Sequence, residues 1–333
     1  MAGACQDLGV KSFFPILGFV ACSAVLQAAI PNHFEGWKWK EKETAHFLLR
    51  ADGTSFDPAS RYAEKVWEVV VEVLPGLEKE FADNAFKTPG GGEAAEGKPY
   101  RHTVYLLGKG DDFSSLVDID KDRNGWDPNS VRMVRQTGNY ADPQFRYGVF
   151  CKVAPDESAG DDREIDALFV HSTGMVLQQG WSRSKRLPFW MTAGFGYYVE
   201  HRLFRKCRVH YLDFEAYYEE NEAEIKRGET LDADRSWADV IRKLCKDEKR
   251  RSLEQVCSAQ VLTLSPEDSG YIFALTCFLV RDEPARVKYR TLLDAAREGR
   301  MVDKALLLKS YGYADDAALE QEWYEWLESR QFK

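Results

Sequence analysis

The chain has 333 residues, 44% of them hydrophobic and 30% charged. That balance excludes a disordered protein and gives enough length to bury a core as one large domain or two modest ones. A formal net charge of −9 with scattered lysines and arginines argues against nucleic acid as a partner, because such binding needs a clustered basic face.

The N-terminus reads as an export signal. Lys11 and the α-amino group make a weakly positive start, Ser12 to Leu26 is uncharged and mostly apolar, and Ala28 and Ala29 are small enough for cleavage beside them. Residues 1–28 are therefore expected to be removed, which takes away one Asp and one Lys and leaves the charge unchanged. Pro15 and Gly18 interrupt the stretch, and it falls short of the ~20 apolar residues of a membrane span. No spanning segment is expected once it is cleaved. Retention as an anchor, or lipid attachment at Cys22 within Phe19-Val20-Ala21-Cys22, are the alternatives. The destination is periplasmic, extracellular or cell-envelope. Cys151, Cys207, Cys245, Cys257 and Cys277 remain, none in a CxxC pair, so buried thiols are expected, with a Cys245–Cys257 bond as the alternative.

His46 to Arg50 reads as a strand closed by the turn Asp52-Gly53. Pro58 opens a helical stretch to about Phe86, with Tyr62, Val66, Val69, Val70 and Val73 at helical spacing. Pro89 to Lys98 is a glycine-rich acidic loop, and Thr103 to Leu107 a second strand followed by a polar segment. Arg132 to Tyr140 and Phe145 to Val153 are expected to form a hairpin. From Asp162 the pattern turns helical, with helices over 164–179 and 188–204, an apolar helix over Tyr271 to Val280, and an amphipathic closing helix over Ala314 to Ser329. The basic run Lys246 to Arg251 reads as a solvated helix face. Strands with one long helix first, then mostly helices, define an α+β fold. Residues 29–206 form its mixed region, and 207–333 a helical region of the same unit.

The two central helices contain His171-Ser172-Thr173-Gly174-Met175 and then Pro188-Phe189-Trp190-Met191-Thr192-Ala193-Gly194-Phe195-Gly196-Tyr197-Tyr198. Over residues 165–200 this resembles the gluzincin-type metallopeptidases, in the branch of secreted bacterial proteins that carry HExxH and then P-x-W-[LM]-x-E-G-x-A-x-Y. The resemblance implies a zincin-like domain. In that family two histidines at i and i+4 hold zinc, the intervening glutamate is the general base, and a glutamate of the next helix is the third ligand. Here His171 matches the first ligand, but Ser172 stands at the base, Met175 at the second histidine and Ala193 at the third ligand. Pro188, Trp190, Gly194 and Tyr198 stay in register. Glu200 lies seven residues beyond Ala193, about 10 Å along the helix axis, so that joining a metal with His171 would need a shifted helix. His201 is the other candidate substitute. Zinc is not expected, because a lone imidazole cannot hold it against water.

Asp120-Lys121-Asp122-Arg123-Asn124-Gly125 matches the opening of a calcium loop, which makes Asp120, Asp122 and Asn124 candidate calcium ligands. Val131 replaces the closing bidentate glutamate, and a polar turn is the plainer reading. The resulting expectation is an exported, catalytically inactive peptidase-like protein whose relic cleft either binds a peptide or protein or is simply packed. Trp190, Phe195, Tyr197 and Tyr198 would be the peptide contacts, although core packing suits most of them better. The alternative is a metal-dependent hydrolase with a non-standard site built on His171, Glu200 and His201.

Overall fold

A computed structural model describes residues 37–57, 59–82, 101–142, 147–151, 162–183, 187–209, 236–246, 250–260, 264–329 and 331–332. The export signal with Cys22, and the loop at 89–98, lie outside these residues.

The α+β architecture is organised around one five-stranded sheet. Its strands are β1 (Lys40–Glu43), β2 (Phe47–Ala51), β3 (His102–Leu107), β4 (Asn139–Asp142) and β5 (Tyr147–Cys151), in the spatial order β1-β2-β3-β5-β4. The central strands β2, β3 and β5 are parallel, and the edges β1 and β4 run antiparallel to their neighbours. Every residue of β3 and β5 is buried, as expected where both faces of a parallel sheet are covered. The alternation of the strand directs Val104 and Leu106 to one core and Tyr105 and Leu107 to another.

The larger core is built by α1 (Ala59–Val73), α5 (Asp162–Ser182) and α6 (Phe189–Phe204). On α1 the predicted face is buried at Val66, Val69, Val70 and Val73, and the helix ends before Pro75; α2 (Leu77–Ala82) continues as a separate element. The smaller core lies under α3 (Gly110–Asn124) and α4 (Pro128–Thr137). Both helices correct the sequence reading. The segment after β3 is helical because Asp111 and Asp112 favour its N-terminus while Phe113, Leu116 and Val117 pack inward. Residues 132–137 belong to α4 and not to a strand. Asp127 caps that helix by accepting from the Ser130 N–H at 3.1 Å, and Pro128 suits the first turn. The expected hairpin is confined to β4 and β5.

The same helix α3 carries the residues of the expected calcium loop. Successive helical residues rotate by about 100°, so Asp122 projects some 200° away from Asp120 and the two do not converge. Asp120 is fully buried and accepts hydrogen bonds from the hydroxyls of Tyr140 (2.5 Å) and Tyr147 (2.8 Å), whereas Asp122 is exposed. Nor is the Cys245–Cys257 bond formed.

Among the described residues the further helices are α7 (Trp237–Lys246), α8 (Leu253–Cys257), α9 (Pro266–Leu279), α10 (Glu283–Arg297), α11 (Lys304–Tyr311) and α12 (Asp316–Glu328). They continue the larger core as far as Phe332. Ser252 and Ser265 form capping boxes, and Asp282, Asp303 and Asp315 cap their helices. On α10, Arg286 and Arg290 donate to the carbonyls of Glu72 and Val73 at the end of α1, and Arg286 and Arg202 both pair with the Glu72 carboxylate (2.6 and 2.7 Å). These guanidinium partners hold the Glu72 carboxyl below its ordinary range against its partial burial.

Helix α6 is packed between α5 and α9, with Trp190 to His201 buried throughout. Among the described residues no helix is long and apolar enough to cross a membrane. Where α6 meets α9, a Cβ on Gly194 would collide with the Thr276 hydroxyl and lie 3.0 Å from the Ile272 carbonyl oxygen. Thr276 can rotate, but the backbone carbonyl cannot. Gly194→Ala is therefore expected to destabilise the protein by about 2 kcal/mol or more despite alanine's better helix propensity. Urea denaturation of the two proteins would measure this.

Candidate functional site

His171 sits in the middle of α5, where that helix crosses α6. Its side chain is wholly buried, and so is that of Glu200, with Nδ1 of the imidazole 3.2 Å from Oε2 of the carboxyl. Tyr197 presents an edge to the ring, with centroids 4.6 Å apart and planes at 74°. The third neighbour is Gly196, where a Cβ would lie 2.6 Å from Nε2 and 2.8 Å from Cδ2. The imidazole therefore fills the space that any side chain at 196 would take.

Glu200 also closes the turn that leaves α6. That helix ends at Arg205, whose φ of 63° is left-handed. Oε1 of Glu200 then accepts from the backbone N–H groups of Arg208 and Val209. Burial drives the Glu200 carboxyl well above its ordinary range, and those two N–H donors oppose the shift. So dry a site disfavours the charged carboxylate. Cys207 adjoins this cluster; its thiol donates to the Tyr197 carbonyl and is driven up by burial and by Glu200.

The other predicted positions do not join His171 in a metal shell. Ser172 is half-buried and donates to Asn139 Oδ1 on the edge strand β4 at 2.9 Å. Met175 is half-buried and Ala193 fully buried. On α6 the imidazole meets Gly196, Tyr197 and Glu200, one to two turns beyond Ala193. Joining a metal with His171 needs a shifted helix by the spacing from Ala193; the helix crossing nevertheless brings the Glu200 carboxyl itself against the imidazole. His201 diverges from Glu200 along the helix and packs on Phe273 of α9, with ring centroids 4.8 Å apart.

The arrangement does not fit a catalytic zinc. Nδ1 is engaged by Glu200, Nε2 faces the Gly196 backbone, and neither side chain reaches solvent. Among the described residues no three of His, Cys, Asp and Glu are grouped to hold a metal ion. The carboxylate–histidine contact resembles an outer-shell pair of the kind that orients a metal ligand, but here it closes a packed helix crossing. One signal in the sequence did point to it: Gly196 and Glu200 are four apart on a mostly aromatic and apolar helix, so they share a face with room for a ring.

A scan of the chain against protein-family models finds no match, and a search of curated proteins finds none either.

Two predictions follow from this packing. In Gly196→Ala the new methyl meets a ring that Glu200 holds in place, so a loss of about 2–4 kcal/mol is expected by denaturant titration. The second concerns His201, whose pKa burial lowers from 6.5 to about 4 with help from Arg205 and Arg202. The unfolded chain takes up that proton as the pH falls below about 6.5, while the folded chain resists it until about 4. Stability present at pH 7 should therefore fall over this window by on the order of 3 kcal/mol through this group. Comparing denaturation midpoints at pH 7 and 4.5 would test it, with His201→Phe losing less on acidification than the parent.

Proposed function

We propose that this chain is an exported, catalytically inactive protein on a gluzincin-type metallopeptidase scaffold, with the former active-site region packed shut. The observation that carries the reading is the enclosure of His171. The one residue matching a zinc-ligand position is sealed among Glu200, Tyr197 and Gly196, while the remaining positions carry serine, methionine and alanine. The mixed sheet beside two tightly crossed helices is in keeping with a zincin-like arrangement. Export rests on the character of residues 12–29.

Of the two forms this reading takes, a packed scaffold is better supported than a peptide-binding relic cleft. Trp190, Phe195, Tyr197 and Tyr198 would have been the peptide contacts, and all four are buried. A peptide could reach them only if the surrounding core opened. Any partner of the protein is then met by its outer surface.

Metal analysis by mass spectrometry of the purified mature protein, beside His171→Ala, tests the proposal. The expected result is no bound transition metal and no chelator-sensitive peptide hydrolysis in either protein. His171→Ala should instead lose about 2–4 kcal/mol of stability, because it opens a cavity and strands the buried Glu200 carboxyl. Near-stoichiometric zinc that vanishes in the variant would overturn the reading.

A further inference from the structure

A cleft of about 190 Å³ opens beyond the carboxyl ends of β2, β3 and β5 and reaches α5 at Ile165 and Asp166, ahead of His171 on the same helix. Parallel strands all end on one side of a sheet, and the helices that follow them begin there. The crevice so enclosed is a common ligand position in open sheets of this kind. Its described lining joins an apolar wall of Leu106, Phe150 and Ile165 to three charged residues, Asp57, Arg61 and Asp166. Arg61 comes from the first turn of α1, and Asp166 from the start of α5.

The depth of these charges sets the sign of the ligand. Asp166 has a side chain only 9% exposed, and it pairs at 3.1 Å with Arg61, which is 55% exposed. Asp57 is exposed at the entrance. The carboxylate therefore lies deep and the guanidinium at the rim. An anion entering along the apolar wall would run into Asp166, whereas a cation would find a partner there and lose little, because the rim arginine can turn out to water. The volume admits a chain of a few carbons and falls below the ~300 Å³ at which drug-sized ligands begin.

We propose that this cleft binds an organic ammonium group on a short apolar stem, as in a lysine side chain or a simple alkylamine. The nitrogen sits on the Asp166 carboxylate, the stem lies on Leu106, Phe150 and Ile165, and Arg61 is the internal competitor for the same carboxylate. The site stands independently of the metallopeptidase reading.

Calorimetric titration of the full-length mature protein with n-butylamine, and with butyrate as the anionic counterpart, tests this. Saturable binding of butylamine and none of butyrate is expected. Asp166→Asn should weaken amine binding about tenfold or more, as for loss of a charge-assisted partner. Arg61→Gln should strengthen it by removing the competitor. Absence of saturable amine binding, butyrate binding as well as the amine, or unchanged affinity in a folded Asp166→Asn would overturn the proposal. Should circular dichroism show that Asp166→Asn has lost its fold, Arg61→Gln decides: tighter binding supports the site, and equal or weaker binding sinks it.

Discussion

The closeness with which α6 lies between α5 and α9 is the constraint on which the rest of the molecule depends. Three glycines make it feasible. Gly194 lets α9 approach, Gly196 receives the His171 ring, and Gly174 of α5 leaves room for Val199. Interiors packed at this density do not deform gradually, so the polar groups trapped at the crossing must be satisfied where they stand. Glu200 does this by serving three partners, the imidazole and two backbone N–H groups, from one carboxyl. A buried acid of this kind is weak evidence for stability in itself, because its desolvation offsets much of its hydrogen bonding. Its effect is to hold α5, α6 and the 205–209 turn in a single arrangement.

That geometry has a chemical consequence. A histidine serves catalysis or metal binding through a nitrogen that can reach a ligand, a proton donor or water. The His171 side chain is wholly buried with Nδ1 against Glu200, and the hydroxyl of Ser172, its neighbour on the helix, turns to the edge strand instead. The chemistry that the zinc-peptidase pattern performs needs an open position, whereas the described neighbours of this imidazole enclose it. The carboxyl edge of the parallel strands contrasts with it, because charged side chains there still border accessible space.

Much of the architecture was legible in the chain because burial imposes a period. The face of α1, the strands around Phe47 and Val104, and the limits of α5 and α6 all follow from apolar spacing and from Pro188 at the start of α6. The α3–α4 region was misread where short-range cues competed. The alternating acids of 120–124 look like a metal loop, and only the inward-facing Phe113, Leu116 and Val117 reveal the helix beneath. Arg132 to Tyr140 suggested a strand until the Asp127-Pro128 cap is given its due. The His171–Glu200 contact was the hardest to foresee. It depends on the angle and offset at which two helices cross, and the four-residue spacing of Gly196 and Glu200 hints at a shared face without fixing either.

The far end of α1 carries a consequence of another kind. Its last carbonyls and Glu72 are met by Arg286 and Arg290, more than two hundred positions further along the chain. During synthesis, this helix emerges early yet waits for its closing partners until nearly the whole polypeptide has been made. Contacts of such separation form late, because long stretches of chain must first be brought together. The end of the first helix thus gains these partners only after α10 has been made.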